Sequence, residues 1–154
     1  MNKIAENKTR KRLRITLCIL YIIEIVLCSM PYFQYISDDN VIHSYSVFDI
    51  MSLWGTNVFG SADGKAAAQF SLFVPIMIII PVVGFFFCAL DKERNLKNIA
   101  SILCCLFGVL SILIIVSNMI SLGSMISLLL YLLICFLTTI SIFARYTSGT
   151  DRNS

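Results

Sequence analysis

Glu24 is an acid in a part of the sequence that is otherwise apolar. It lies within the run LYIIEIVLCSMPYF, from Leu20 to Phe33. An ionisable residue inside a membrane-spanning segment is costly, faces the interior of the helix bundle, and marks an ion pathway, a proton relay or a contact between helices. We therefore expect Glu24 to be protonated, turned towards other helices and hydrogen-bonded there.

The partners of Glu24 must be uncharged, because no Lys, Arg or His falls within the long apolar segments. Counted from Ile15 at 1.5 Å per residue, Glu24 is expected near the bilayer centre. At that depth the sequence offers Ser111 and Tyr131. Pro81 adds a further acceptor, because a proline inside a helix frees a backbone carbonyl one turn earlier.

Three roles for Glu24 stay open at this point. The first is coupling to the movement of a proton or cation, and here the chain resembles the small four-helix multidrug exporters, which carry a Glu in the first helix. The second is a buried, hydrogen-bonded group that fixes helix register. The third is a contact with a polar group on another membrane protein, which fixes an assembly.

The other polar and thiol side chains predict neither catalysis nor a metal site. The six cysteines lie in apolar runs and lack a C-x-x-C spacing, which is typical of cysteines that act as small apolar residues. The chain has one histidine, His43, and no Ser–His or Cys–His pairing is expected near it. We expect a protein that is not an enzyme, binds no metal and needs no cofactor.

The composition is typical of a membrane protein. Of the 154 residues, 58% are hydrophobic and 14% are charged, and four apolar segments have about the 20 residues that a helix needs to cross the hydrocarbon core. The predicted fold is an all-α membrane protein, a four-transmembrane-helix bundle with a partly structured outer loop. The predicted segments are a basic tail (1–14), span one (15–35), the outer loop (36–69), span two (70–90), an inner loop (91–98), span three (99–120), a turn (121–123), span four (124–143) and a second tail (144–154).

The basic residues predict the orientation. Of the 12 Lys and Arg residues, Lys65 alone lies in the outer loop. Loops rich in Lys and Arg remain on the cytoplasmic side, so both termini are expected in the cytoplasm of a cell whose plasma membrane the chain crosses. The basic clusters form no continuous stripe, so nucleic acid is not an expected partner.

The outer loop is longer than a simple connection requires, which indicates structure of its own. The turn sequence Asp38–Asn40 lies between two segments suited to strands and predicts a β-hairpin. Ser46 and Asp49 form a capping-box pattern that predicts a short helix. The apolar stripe of that helix consists of Val47, Ile50, Met51 and Trp54. Two alternatives remain: the stripe lies on the membrane surface, or it packs on the strands of the loop.

Small residues recur along one face of the third span, at Ala100, Cys104 and Gly108. Such a spacing allows another helix to approach closely. The sequence therefore predicts a helix-packing face there, and this face and the outer loop are the expected contact surfaces for partners.

The outline resembles the claudin-type tetraspan architecture, which small bacterial four-helix membrane proteins share. The segments that carry the resemblance are Pro31-Tyr32-Phe33, Tyr45-Ser46-Val47-Phe48-Asp49 and Leu53-Trp54-Gly55. It implies four helices, cytoplasmic termini and a folded first outer loop. We expect a non-catalytic interaction or accessory protein whose partners are the lipid bilayer and another membrane protein or a second copy. The alternative is a small proton- or cation-coupled transporter or channel that uses Glu24.

Overall fold

The computed structural model describes residues 8–54, 61–90, 96–116 and 121–150 of the chain. These residues form six α-helices and one antiparallel two-stranded sheet. In chain order the elements are α1 (Lys8–Leu27), β1 (Phe33–Ile36), β2 (Ile42–Tyr45), α2 (Val47–Ser52), α3 (Ala62–Phe70), α4 (Phe73–Leu90), α5 (Leu96–Val116) and α6 (Leu122–Thr150).

The four long helices pack side by side as a ring. Helix α4 lies between α1 and α5, and α6 lies between α5 and α1. Two glycines allow the close approach, because the ring of Tyr21 on α1 packs against Gly84 and the ring of Tyr131 on α6 packs against Gly108. A Cβ atom at Gly108 would lie 2.7 Å from the Tyr131 ring, which is closer than real Cβ contacts. Small residues at helix interfaces serve this purpose in membrane bundles.

The bundle differs from a soluble one in its outer surface, which is apolar, and its interior combines an apolar core with small polar groups. Small polar side chains and one acid lie inside the ring, among them Glu24, Ser101, Ser111, Ser124, Ser127, Thr138 and Ser141. Large apolar side chains of all four helices point outwards, among them Val26, Ile79, Phe86, Phe107, Leu110, Leu129 and Phe136. The outer surface of the bundle therefore suits an apolar solvent better than water.

Two of the described helices are long and apolar enough to cross a membrane, α4 over Phe73–Leu90 and α6 over Leu122–Phe143. The apolar stretch of α5, Ile99–Ile114, is shorter, and α1 does not meet the same criterion. Of the four predicted spans, the second and the fourth therefore meet this criterion among the described residues.

Helix α1 ends at Leu27, well before the predicted end of the first span at residue 35. Pro31 disfavours helical backbone in the residue before it, and the aromatic and β-branched residues that follow favour a strand. Residues Phe33–Ile36 accordingly form β1. As a consequence, Glu24 lies one helical turn from the end of α1 rather than near the middle of a span.

Further boundaries also differ from the prediction. Part of the predicted outer loop is helical, since α3 begins at Ala62, and only Ser71 and Leu72 separate α3 from α4. The last helix begins at Leu122, inside the predicted turn, and continues to Thr150 rather than ending at residue 143.

The segment between α1 and α4 forms a cap on one end of the bundle, made of β1, β2, α2 and α3. The strands pair from Phe33 opposite Tyr45 to Ile36 opposite Ile42, and Asn40 takes the left-handed backbone conformation in the turn that Asn tolerates better than most residues. Ser46 and Asp49 form the predicted capping box at the start of α2. The hairpin and short helix that the sequence predicted are therefore present.

Candidate functional site

The candidate site is a buried cluster around Glu24, which we call the carboxyl layer: Glu24, Tyr32 and Ser127. Glu24 is 1% exposed. The Tyr32 hydroxyl lies 3.1 Å from Glu24 Oε1 and also within hydrogen-bonding distance of Ser127 Oγ. Ser127 Oγ donates to Glu24 Oε1. The layer thus joins α1, α6 and the residue that leads into β1.

One oxygen of this acid lacks a partner. Both hydroxyl contacts go to Oε1, and Oε2 has no hydrogen-bond partner within the described part of the chain. A buried polar atom without a hydrogen bond carries a free-energy cost and calls for an explanation. Glu24 is therefore not fully accounted for as a structural residue.

The predicted partners of Glu24, Ser111 and Tyr131, are both buried, but neither supplies the hydrogen bonds described above. Tyr131 lies four residues after Ser127 on α6, about one turn further along the helix, and its ring packs on Gly108. The partners differ from the predicted ones because α1 ends at Leu27. The chain then turns back, so that Tyr32 comes within reach of Glu24.

The carbonyl that Pro81 frees is also used differently from the prediction. Pro81 lies inside α4, so the carbonyl four residues earlier, that of Met77, loses its helical partner. The thiol of Cys28 points towards it, with Sγ 3.9 Å from Met77 O and 3.6 Å from Glu24 O. The freed carbonyl thus faces Cys28, one turn beyond Glu24, rather than the carboxyl itself.

Backbone hydrogen bonds fix the cap to the bundle immediately beside the carboxyl layer. Gly123 N–H donates to Pro31 O at 2.9 Å, and the Ser121 hydroxyl donates to the same carbonyl. A Cβ atom at position 123 would collide with that oxygen, so this contact requires glycine. Val47 N–H donates to Cys28 O at 3.1 Å, which ties the start of α2 to the end of α1.

The predicted apolar stripe of α2 does not act as one face. Val47 and Ile50 are 0% exposed, and α2 contacts α3, α4 and β2. Met51 and Trp54 are 48% and 46% exposed. Val47 and Ile50 are three residues apart and lie on the same, inward side of α2. Trp54 lies beyond the end of the helix. The first pair therefore packs within the protein, and the second pair is available at its surface.

Polar contacts hold α3 to the hairpin. The Tyr45 hydroxyl donates to Asp63 Oδ1 at 2.6 Å, and burial, followed by the Asp63 carboxylate, raises the pKa of Tyr45. Lys65 Nζ lies 2.5 Å from Asp38 Oδ2, and this contact raises the pKa of Lys65. Both shifts favour the protonated, hydrogen-bonded forms at neutral pH.

The predicted small-residue face of α5 divides into two parts. Gly108 is covered by Tyr131 of the same chain, so it serves packing within the bundle. Ala100 and Cys104 line an apolar groove of about 380 Å³ between α4 and α5. A continuous face that is open to another helix is therefore not formed by these three residues.

Sequence reasoning missed Tyr32 and Cys28 as neighbours of Glu24, although it noted the segment that contains Tyr32. A signal was present for Ser127, because Ser124, Ser127, Tyr131, Cys135 and Thr138 recur on one face of α6. A polar stripe on an otherwise apolar helix is expected to face polar groups on other helices.

Chemically, the carboxyl layer can hold or release a proton and can form hydrogen bonds to a further donor at Oε2. It contains an acid and two hydroxyls in an enclosed, apolar setting, and in such a setting electrostatic interactions are strong. No protein-family model, characterised protein or solved structure matches this chain.

Proposed function

We propose that the chain is a four-helix integral membrane protein of claudin-like outline, with both termini in the cytoplasm and the cap outside. In this proposal α1, α4, α5 and α6 all cross the plasma membrane. The protein is a non-catalytic accessory protein whose cap binds another membrane protein or a second copy.

The observation that carries this proposal is the apolar outer surface of the bundle. Helix α1 exposes Ile15, Ile19, Ile22, Ile23 and Val26, and α5 exposes Ile99, Leu103, Leu106, Phe107, Leu110, Leu113 and Ile114. These two helices, which do not meet the combined criterion of length and apolarity, therefore present the same kind of apolar surface as α4 and α6. A bundle surrounded by lipid requires such an outer surface on every helix, with its polar side chains turned inwards.

The distribution of charge supports the orientation. Arg14 Nη1 donates to Ala89 O at 3.3 Å, so the basic start of α1 lies beside the end of α4, at the end of the bundle opposite the cap. The cap carries Asp38, Asp39, Asp49 and Asp63 against Lys65. An excess of Lys and Arg marks the cytoplasmic side.

The orientation can be tested with an amine reagent that does not cross membranes. Lys65 on the cap and Lys11 at the other end are both exposed. In intact cells we expect modification of Lys65 and none of Lys11 until the cells are permeabilised. Modification of Lys11 alone would contradict the proposed orientation.

The cap has the surface of an interaction module. Ile36, Ile42, Phe48, Met51 and Trp54 are each about half exposed. The backbone contacts with α1 and α6 hold these side chains in place. Exposed apolar groups on a fixed surface with a polar rim are typical of protein contact sites.

Site-specific photo-crosslinking tests the proposed contact. A crosslinking amino acid at Met51 samples the cap, and the same group at Leu132, which is 52% exposed on α6, samples the lipid-facing surface. We expect a discrete protein adduct from Met51 and lipid adducts from Leu132 in native membranes. If Met51 yields no protein adduct while the chain copurifies alone, the accessory role is wrong.

The alternative role as a proton- or cation-coupled transporter or channel is favoured by one observation, the unpartnered Oε2 of Glu24. Intramembrane acids often serve such transport. Proton flux in liposomes that contain the wild type or Glu24→Gln separates the two roles. Flux that requires Glu24 would support transport, and its absence from the wild type would remove this alternative.

A further inference from the structure

We propose that the carboxyl layer is a proton-binding site whose occupancy controls the cap. With the proton bound at Glu24, the cap is closed on the bundle as described above. Loss of the proton to the outer solution opens the junction between the cap and the helices. This inference goes beyond the proposed function, because it concerns the chain itself and does not require a partner.

Among the described residues, the contacts of Glu24 are two hydroxyls at Oε1, and no positively charged side chain is among them. The ionisable groups that face it are Cys28 just after α1, Tyr32 before β1 and Tyr131 on α6. Within the described side chains of α4, α5 and α6, none is acidic or basic. An ionised carboxylate would thus be buried without a counter-ion and with Oε2 bare, which is strongly unfavourable. The enclosed geometry therefore matches the neutral acid.

The proton can reach water only if the junction opens. Tyr32 is 1% exposed and contacts Glu24 on the side of the cap, and the hydrogen bond from Gly123 N–H to Pro31 O holds the residue before Tyr32 against α6. An open form in which water reaches Glu24 tolerates the carboxylate, whereas the closed form does not. Because a ligand shifts a protein towards the form that binds it better, lower pH favours the closed form and higher pH favours the open form.

The contacts of Tyr32 and Cys28 transmit this change to the surface of the cap. Tyr32 N–H donates to Tyr45 O at 2.8 Å, and Val47 N–H donates to Cys28 O. Movement of Tyr32 therefore shifts the hairpin and the start of α2. Trp54 follows α2 and is the only tryptophan of the chain, so its fluorescence reports on this part of the cap.

The experiment measures quenching of Trp54 by acrylamide in the full chain in lipid nanodiscs, from mildly acidic to mildly alkaline pH. We expect quenching of the wild type to rise with pH. Glu24→Gln keeps the shape and removes the titration, so its quenching should remain at the acidic level throughout. A flat wild-type profile, or an equal rise in Glu24→Gln, would overturn the proposal.

Two further variants test whether another group causes the pH dependence and whether the Tyr32 hydroxyl holds the cap closed. His43→Gln removes a second titratable group, which stacks on Tyr45, and it should keep the rise seen in the wild type. If it abolishes the rise, the histidine and not Glu24 is the sensor.

Tyr32→Phe keeps the carboxyl but loses the hydroxyl contact, so it should show greater quenching at acidic pH than the wild type. If Glu24→Gln fails to fold, the quenching of Tyr32→Phe at acidic pH takes its place as the test. Quenching equal to that of the wild type would then overturn the proposal.

A hydrophobic carbodiimide provides an independent readout, because it reacts with neutral carboxylic acids in apolar surroundings. We expect an adduct on Glu24 at acidic pH, located by mass spectrometry of peptides, that declines as the pH rises. Absence of this adduct at every pH would contradict the protonated state of the closed form.

Discussion

The interior of the bundle contains two polar layers that differ in kind. The carboxyl layer lies beside the cap and joins an acid to two hydroxyls. The second, which we call the thiol layer, consists of Cys88 on α4 and Ser101 on α5, whose Sγ and Oγ atoms are 3.3 Å apart. Both layers are buried, but the thiol layer is built from weakly polar groups and contacts no residue of the cap in the interactions described.

The difference in polarity between the two layers indicates which one has a structural role and which one can respond to pH. A thiol and a hydroxyl satisfy each other within the bundle at little cost. The acid has an unpartnered oxygen and its contacts lead through Tyr32 to the hairpin. We conclude that the thiol layer fixes the packing of α4 on α5, whereas the carboxyl layer connects the bundle to the cap.

The largest expected effect comes from filling the glycine contacts between the long helices that enclose both layers. Gly84→Leu and Gly108→Leu would drive a side chain into the rings of Tyr21 and Tyr131, and each should destabilise the fold by about 3 kcal/mol, the upper range for overpacking. Phe86→Leu, at an exposed position of α4, is the control and should have little effect. Thermal unfolding in detergent measures these differences. Wild-type stability of both glycine variants would refute the helix packing.

Removal of the acid should have the next largest effect. Glu24→Leu removes the acceptor of the Ser127 hydroxyl and one of the two acceptors near the Tyr32 hydroxyl, which should cost about 1–3 kcal/mol. Glu24→Gln retains an acceptor oxygen and should cost less. Unfolding of the two variants side by side tests this order. If leucine is tolerated as well as glutamine, the hydroxyl contacts contribute nothing.

A pair of serine substitutions compares the two layers directly. Ser127→Ala removes a hydroxyl that contacts both Glu24 and Tyr32, whereas Ser101→Ala removes a hydroxyl that contacts the weakly polar thiol of Cys88. We expect losses of about 1–2 kcal/mol and about 0.5 kcal/mol respectively, within the usual range for buried hydrogen bonds. Only Ser127→Ala should also change the quenching of Trp54. Equal effects on Trp54 would abolish the distinction between the layers.

The smallest expected effect lies within the cap. Tyr45→Phe removes the hydrogen bond to Asp63 and should destabilise the cap by about 0.5–1 kcal/mol. Because the folded pKa of Tyr45 is raised above its ordinary value of 10.0, this contribution is complete below that pH and is lost as the pH rises through the raised value. Wild type and Tyr45→Phe should therefore differ at neutral pH and converge in strongly alkaline solution. Unfolding measured across that range checks the sign.

The sequence predicted local features of the cap well, because they depend on neighbouring residues. Asp38–Asn40 marked the hairpin turn, and Ser46 with Asp49 marked the start of α2 through hydrogen bonds that join residues three apart. Such contacts can be read from spacing alone.

The surroundings of Glu24 were harder to predict, because they depend on where α1 ends. Hydropathy continues past Leu27, so it placed Glu24 near the centre of a span and favoured Ser111 and Tyr131. Pro31 and the following aromatic residues form the start of the hairpin instead. The contact between Tyr32 and Ser127, 95 residues apart, comes from tertiary packing that periodicity does not encode.

The proposed membrane bundle is tested most directly by hydrogen–deuterium exchange of the chain in lipid nanodiscs, followed by mass spectrometry. We propose that α1 and α5 cross the membrane beside α4 and α6, with the cap fixed at one end. This arrangement predicts slow exchange in all four helices, since backbone amides in stable membrane helices are protected. Slow exchange in α4 and α6 with rapid exchange throughout α1 and α5 would contradict the four-helix membrane bundle.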